Sequence, residues 1–369
     1  MPRRGIIIKM KSRVWKFYAI WILALLIGLS SKSLRAEIDT NSFPVIGEGE
    51  FEFQNDTNTN ISSMDSDQPG PKSSRAYIRH AAGRAGLGDY NGALADLNKA
   101  IELNPKSPSI YCLRAVIEHR LGYEDLALAD CSRAIKLNPK FARAYNDRGI
   151  VEMDTFRDFE AAMTDFNEAI KLAPNASPPY VNRAWVKRRL KDTRGAIKDL
   201  NRVIQLNPRH ASAYALLGCI QNDLFQFQDA LESFRKAVEI DSSAEYCRIR
   251  IWLIRVRLGE RAAATKELVS HLHSLPRAYM NRWPMPVEYY LTDLLSEEDF
   301  LKNGKISPQN AWIPKRLLSE VNYYVGMKHL LAGDKAVASI YFQKALDSKL
   351  AGDSEYESAA AELRAINGQ

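Results

Sequence analysis

From residue 74 onward, apolar residues recur at helical spacing in stretches that end at proline or are broken by glycine turns. The clearest end mark is Leu-Asn-Pro, at Leu103-Asn104-Pro105, Leu137-Asn138-Pro139 and Leu206-Asn207-Pro208. Leu172-Ala173-Pro174 and Leu275-Pro276 are variants, and Ile240-Asp241-Ser242 fills the slot between them. Successive marks fall 34, 35, 34, 34 and 34 residues apart, and the one extra residue lies around Thr155–Asp158. Proline ends each unit because it offers no backbone donor and restricts the residue before it. Gly88-Asp89-Tyr90 and Gly122-Tyr123-Glu124 read as turns between two helices of one unit.

Within each unit, small residues hold fixed places. Ala81, Ala115, Gly149, Ala184 and Gly218 mark the first helix. Ala93, Ala127, Ala162, Ala196, Ala230 and Ala264 open the second, and Ala100, Ala134, Ala169, Val203 and Ala237 close it. Such positions are where two helices cross closely. Larger residues fill the space beside them: Tyr77, Tyr111, Tyr145, Tyr180 and Tyr214 on the first helix, and Leu97, Cys131, Phe166, Leu200 and Phe234 on the second. In the sixth unit Trp252 and His271 take slots held elsewhere by small residues, so that unit is expected to splay or meet a different neighbour.

In spacing and identity these residues resemble the tetratricopeptide-repeat (TPR) family. The resemblance implies an all-α solenoid, a right-handed superhelix of antiparallel helix pairs. Six units fill residues 74–276, the sixth degenerate, and a non-repeat helical insert follows at 277–318 with the amphipathic stretch Val287–Leu301. A seventh unit at 319–369 is marked by Tyr323–Gly326, Gly333-Asp334, Ala338, Phe342 and Ala345, and an alanine-rich helix at Glu355–Ile366 is expected to cap the open end. Trp283-Pro284, Ser296–Leu301, Tyr323–Gly326, Gly333-Asp334-Lys335 and Glu355-Tyr356 also look like the C-terminal part of bacterial envelope TPR lipoproteins that serve as adaptors for peptidoglycan hydrolases. That likeness implies an envelope adaptor. The lipid-attachment cysteine of those relatives is missing here.

Charge changes the picture at the N-terminus. The net charge is +7, yet residues 1–36 carry eight Lys/Arg and no acid, while residues 37–73 carry eight Asp/Glu and one lysine. Residues 74–369 hold 42 basic and 36 acidic side chains, so the chain without its first segment carries −1 and has no global electrostatic reason to favour nucleic acid. The basic start and the 13-residue apolar run Phe17–Leu29 read as an export signal, cleaved after Ala36 or Ser33, or else retained as an inner-membrane anchor. The expected location is therefore the periplasm or cell envelope, with membrane contact only through that segment. Residues 37–73, acidic and poor in aromatic residues, read as a disordered linker.

No catalytic, phosphate-binding or cofactor motif is present, so no enzyme activity and no cofactor are expected. Cys112, Cys131, Cys219 and Cys247 are far apart and read as small apolar fillers. His271-x-His273 would place its two rings on different helix faces, so no metal is expected there. Asp96, Asp130, Asp165 and Asp199 recur with the period and read as a solvated charge stripe.

The TPR resemblance places the partner-binding groove on the first helix of each unit. The positions that carry over include Arg75, Arg79, Arg120, Asn146, Asn182, Trp185, Arg188, Arg189, Asn222 and Arg250. Arginine forks pair carboxylates and asparagine amides bind backbone, so the groove is expected to take a peptide or helix of acidic character from another protein, such as an envelope enzyme or assembly factor. Ile78 and Ala82 stand where the chaperone-type carboxylate clamp needs Lys and Asn, which argues against chaperone C-termini. Two other readings compete: a hydrolase or transferase using Glu288, Asp293, Glu297, Glu298 or Asp299 of the insert, and a self-associating, homo-oligomeric structural protein.

Overall fold

The computed structural model describes residues 73–276, 283–303, 313–348 and 354–368. The basic segment, the apolar run Phe17–Leu29 and the acidic stretch up to residue 72 lie outside them. Six antiparallel pairs come first: α1 (Ser74–Gly86) with α2 (Tyr90–Leu103), α3 (Pro108–Leu121) with α4 (Glu124–Leu137), α5 (Ala142–Val151) with α6 (Phe159–Leu172), α7 (Ser177–Arg189) with α8 (Thr193–Leu206), α9 (Ala211–Asp223) with α10 (Phe227–Ile240), and α11 (Glu245–Arg257) with α12 (Arg261–Ser274). The insert holds α13 (Met285–Leu291) and α14 (Glu297–Asn303), followed by the pair α15 (Ile313–Leu331) and α16 (Lys335–Leu346) and the last helix α17 (Ser354–Ile366). This is an all-α TPR-type solenoid with a less regular C-terminal region. The expected boundary at 318/319 falls inside α15, because that helix begins before the repeat pattern becomes recognisable.

The turn within each pair needs one residue in the left-handed region. Gly88 and Gly122 supply it at φ 77° and 76°. Arg157, Lys191 and Phe225 occupy the same place in the next three units at φ 56°, 63° and 60°. Aspartates then cap the second helices, Asp89 accepting from the Gly92 amide and Asp192 from the Gly195 amide, both at 2.9 Å. The tyrosine that opens each unit closes the preceding proline turn. Its hydroxyl donates to a proline carbonyl at Tyr111–Pro105 (3.1 Å), Tyr145–Pro139 (3.2 Å) and Tyr180–Pro174 (3.1 Å). The extra residue of the third unit is taken up by a π-helical turn, Glu152–Phe156, that lengthens α5 before the left-handed Arg157.

The small residues sit where the two helices of a pair cross, and their size follows the residue opposite. Ala81 meets Leu97, Ala115 meets Cys131 and Ala184 meets Leu200 within shared core clusters. Where the partner is phenylalanine, glycine replaces alanine. A Cβ at Gly149 or Gly218 would lie 2.8 Å from the ring of Phe166 or Phe234, and one at Gly326 would lie 2.7 Å from Phe342.

The aspartates of the second helices correct the sequence reading. Asp96, Asp130, Asp165 and Asp199 are buried, at 3–7% exposure. Each is held by a cation of the first helix in its own unit. Arg114 grips Asp130 at 2.6 and 2.8 Å, Arg148 grips Asp165 at 2.7 and 2.7 Å, and Arg183 grips Asp199 at 2.8 and 2.7 Å. His80 and Arg84 take this role for Asp96. Two of the forks also reach back one unit, Arg114 to Asn98 and Arg183 to Asn167, both at 2.7 Å. A recurring carboxylate is thus an interior rung. Two-pronged geometry offsets the desolvation that burial imposes.

Substituting Gly218→Ala should lower stability by about 1 kcal/mol in urea unfolding, because overpacking against Phe234 exceeds the gain in helix propensity. Gly83→Ala in α1, where nothing lies within 4 Å, should instead stabilise by about 0.5–1 kcal/mol. Equal signs for the two would contradict the close-crossing account.

Candidate functional site

Successive first helices touch one another, α3 with α5, α5 with α7 and α7 with α9, and so share one wall. Arg75 and Arg79 of α1 and Arg120 of α3 are exposed. Asn182 is buried and donates to the Asn146 side-chain oxygen at 2.9 Å, while Asn146 donates to Asp147 at 3.3 Å. This joins the third and fourth units through a chain of amides. Trp185 is half-buried. The Arg189 guanidinium lies 4.7 Å from its ring centre and 4.9 Å from that of Phe159, which comes from the preceding unit. Arginine between two aromatic faces makes a stiff, cationic ledge.

Arg188, Asn222 and Arg250 correct the expectation that they face a partner. All three are buried. Arg188 binds Asp223 of α9, with its Nε at 3.2 Å from Oδ2. Arg250 donates to the Tyr323 hydroxyl, to Ser358 and to Glu355, each at 3.0 Å, and lies 5.0 Å from the centre of the Tyr323 ring. Tyr324 donates to the same Glu355 at 3.0 Å. Asn222 lines a small void with Arg250, Leu253, Arg257 and Tyr323. Arg250 thus holds the chain's own C-terminal helices directly, and Arg188 does so through Asp223, which accepts from Ser358.

The last helix therefore does more than close the end of the array. It packs on α16 and α15 and also crosses to α9. Besides the Arg250–Ser358 bond, it is fixed by Ser358 to Asp223 at 2.9 Å, Arg257 to Glu362 at 2.8 Å, Arg250 to Glu355, and Lys191 to Glu357. An acidic helix thus lies on cations supplied by the first helix of the sixth unit and by the turn after α7. Lys191, Asp223, Glu357 and Ser358 escaped sequence reasoning, because their partners stand more than a hundred residues away and outside the period. The free cysteines are buried, as the filler reading expects.

The insert is bound to the seventh pair. Glu297 accepts hydrogen bonds from Tyr290 at 3.0 Å and Tyr341 at 3.2 Å and lies 3.1 Å from His329. Glu298 pairs with exposed Lys302, one turn along the same helix. These acids tie helices together and start α14. The sixth unit meets a different neighbour, as expected. Trp252 is buried in the cluster containing Val287, Tyr290 and Tyr323. There too Glu245, His271 and Glu288 come together, with one donor atom from each lying within 4.8 Å of the others. The sequence marked His271 as out of place but offered it no companion, because His273 falls on a different helix face. The fold brings two glutamates instead.

Among the described residues no helix is long and apolar enough to cross a membrane.

Three tetratricopeptide-repeat family models match the chain: one at residues 86–122, one at 108–141, 177–210 and 211–243, and one at 125–177. None of the curated proteins matches. The chain is similar to solved structures of TTC0263, a thermophilic TPR protein of Thermus thermophilus (20% identity, 48% of this chain and 97% of that chain, TM-score 0.44), and of PilF of Pseudomonas aeruginosa (19%, 56% and 95%, TM-score 0.48). A tetratricopeptide repeat protein of Parabacteroides merdae aligns over 79% of this chain and 100% of its own at 14% identity, with a TM-score of 0.47.

Substituting Glu355→Ala should cost about 3 kcal/mol in urea unfolding, because Arg250 would keep its buried charge without its carboxylate. A loss below about 1 kcal/mol would contradict the seating of the last helix.

The repeat units, their helix pairing and the family matches agree: residues 86–243 are tetratricopeptide repeats, in a fold typical of non-catalytic scaffolds that bind other proteins.

Proposed function

We propose that this chain is an adaptor of the bacterial cell envelope, and that it holds an acidic helix or extended segment of a partner protein along the wall of α1, α3, α5 and α7. The observation that carries this reading is the seat of α17. That helix puts Glu355, Glu357 and Glu362 onto Arg250, Lys191 and Arg257, so the wall already accommodates one helix through carboxylates. Nearer the start of the array, the exposed Arg75, Arg79 and Arg120 add positive charge on α1 and α3. Trp185 with Arg189 offers an aromatic and cationic anchor between the two regions. The envelope assignment rests on the basic and apolar start of the chain and on the likeness of its C-terminal motifs to envelope adaptors of peptidoglycan hydrolases. Envelope enzymes and assembly factors are the partners that follow from it.

The test is in-cell crosslinking of the full-length chain with Arg79→Ala, Arg120→Ala and Trp185→Ala combined. Arg188 is left intact because it holds Asp223. Recovery of the crosslinked partner should fall at least about tenfold, with helicity by circular dichroism unchanged. Undiminished recovery at native helicity would refute binding on this wall.

A further inference from the structure

The sixth unit departs from the repeat at one place that has a chemical consequence. His271 stands where the earlier units carry Ala100, Ala134, Ala169, Val203 and Ala237. Its Nε2 lies 2.9 and 3.1 Å from the two carboxylate oxygens of Glu245, the first residue of α11. Glu288 of α13 completes the group. Glu288 is wholly buried, and among the described residues neither of its carboxylate oxygens has a hydrogen-bond partner. A buried carboxylate without a donor is costly, and native structures avoid it unless something else satisfies the group. Three donors therefore converge from three helices, one imidazole nitrogen and two carboxylates, within 4.8 Å of one another.

We propose that Glu245, His271 and Glu288 form a divalent-cation site suited to Zn2+, which fastens the insert helix α13 to the end of α12 and the start of α11. The donor set is that of a zinc centre with three protein ligands and a fourth position for water. With bonds of about 2.0–2.2 Å, ligands around a tetrahedral ion stand roughly 3.4 Å apart, so side-chain rotation alone closes the present spacing. The charge also fits. Arg248 is the nearby cation, its Nε 3.4 Å from Glu245, and it is held by the Ser242 carbonyl at 2.8 Å. Two ionised glutamates exceed it by one negative charge, and a neutral His271 leaves that balance unchanged. Its surroundings disfavour Glu288 as a bare carboxylate. Burial first, and then the neighbouring Glu245 charge, push its carboxyl well above the usual carboxylate range, and Arg248 opposes them. Zn2+ takes the deprotonated forms of all three ligands, so affinity rises with pH.

The test uses the full-length chain, stripped with chelator and titrated with Zn2+ by calorimetry, beside Glu288→Gln and His271→Gln. The wild type should bind one more equivalent than either variant, or bind it at least about tenfold more tightly, and should release protons in doing so. Its Tm should rise with Zn2+ while theirs does not. Glu288→Gln keeps shape and neutrality, so it should fold. Equal stoichiometry and affinity in all three proteins, or no zinc uptake by the wild type, would overturn the site.

Discussion

Two helices can pack only as closely as the side chains at their crossing allow. Here that contact is set by pairs of residues on opposite helices rather than by one position. Alanine faces leucine or cysteine, and glycine faces phenylalanine at Gly149–Phe166, Gly218–Phe234 and Gly326–Phe342. An alanine–leucine pair and a glycine–phenylalanine pair have nearly the same combined bulk, so the two kinds of crossing can alternate along one stack. Each buried aspartate then fixes the rotation of one helix against the other, since the two-pronged arginine fork tolerates little misalignment. The forks of Arg114 and Arg183 extend this alignment to the preceding unit.

The ladder of buried pairs stops at the fifth unit, and the wall changes use there. Leu217 stands where Arg183 stands one unit earlier, and Ser233, bound to Gln221 at 2.7 Å, takes the place of Asp199. From that point cations of the first helices are committed to the C-terminal helices. Arg250 is enclosed by Tyr323, Ser358 and Glu355 and joins the repeat array to its tail through one buried guanidinium.

Much of this was legible in the sequence, because period and residue size are local signals. The 34-residue spacing, the proline stops and the small residues gave the pairs and their order. The same periodicity misled for Asp96, Asp130, Asp165 and Asp199. An exposed stripe and a buried ladder repeat at the same interval, and only the arginine about sixteen residues upstream distinguishes them. The role of Arg188, Asn222 and Arg250 was not legible, because the α17 contact joins residues such as Arg250 and Glu355, 105 positions apart. His271 stood out as a misfit in its slot, whereas Glu288 lies in an insert with no repeat against which to compare it.

The π-helical turn at Glu152–Phe156 shows how the array tolerates a change in length. Arg148 and Asp165 are separated by seventeen positions, whereas Arg114 and Asp130 are separated by sixteen, yet both forks close at under 3 Å. The surplus residue is absorbed at the tip of the hairpin, away from the face that touches the next unit. Hairpin tips are thus the sites where such an array can gain residues, and a graft of one residue or a short loop there would leave the downstream units in phase.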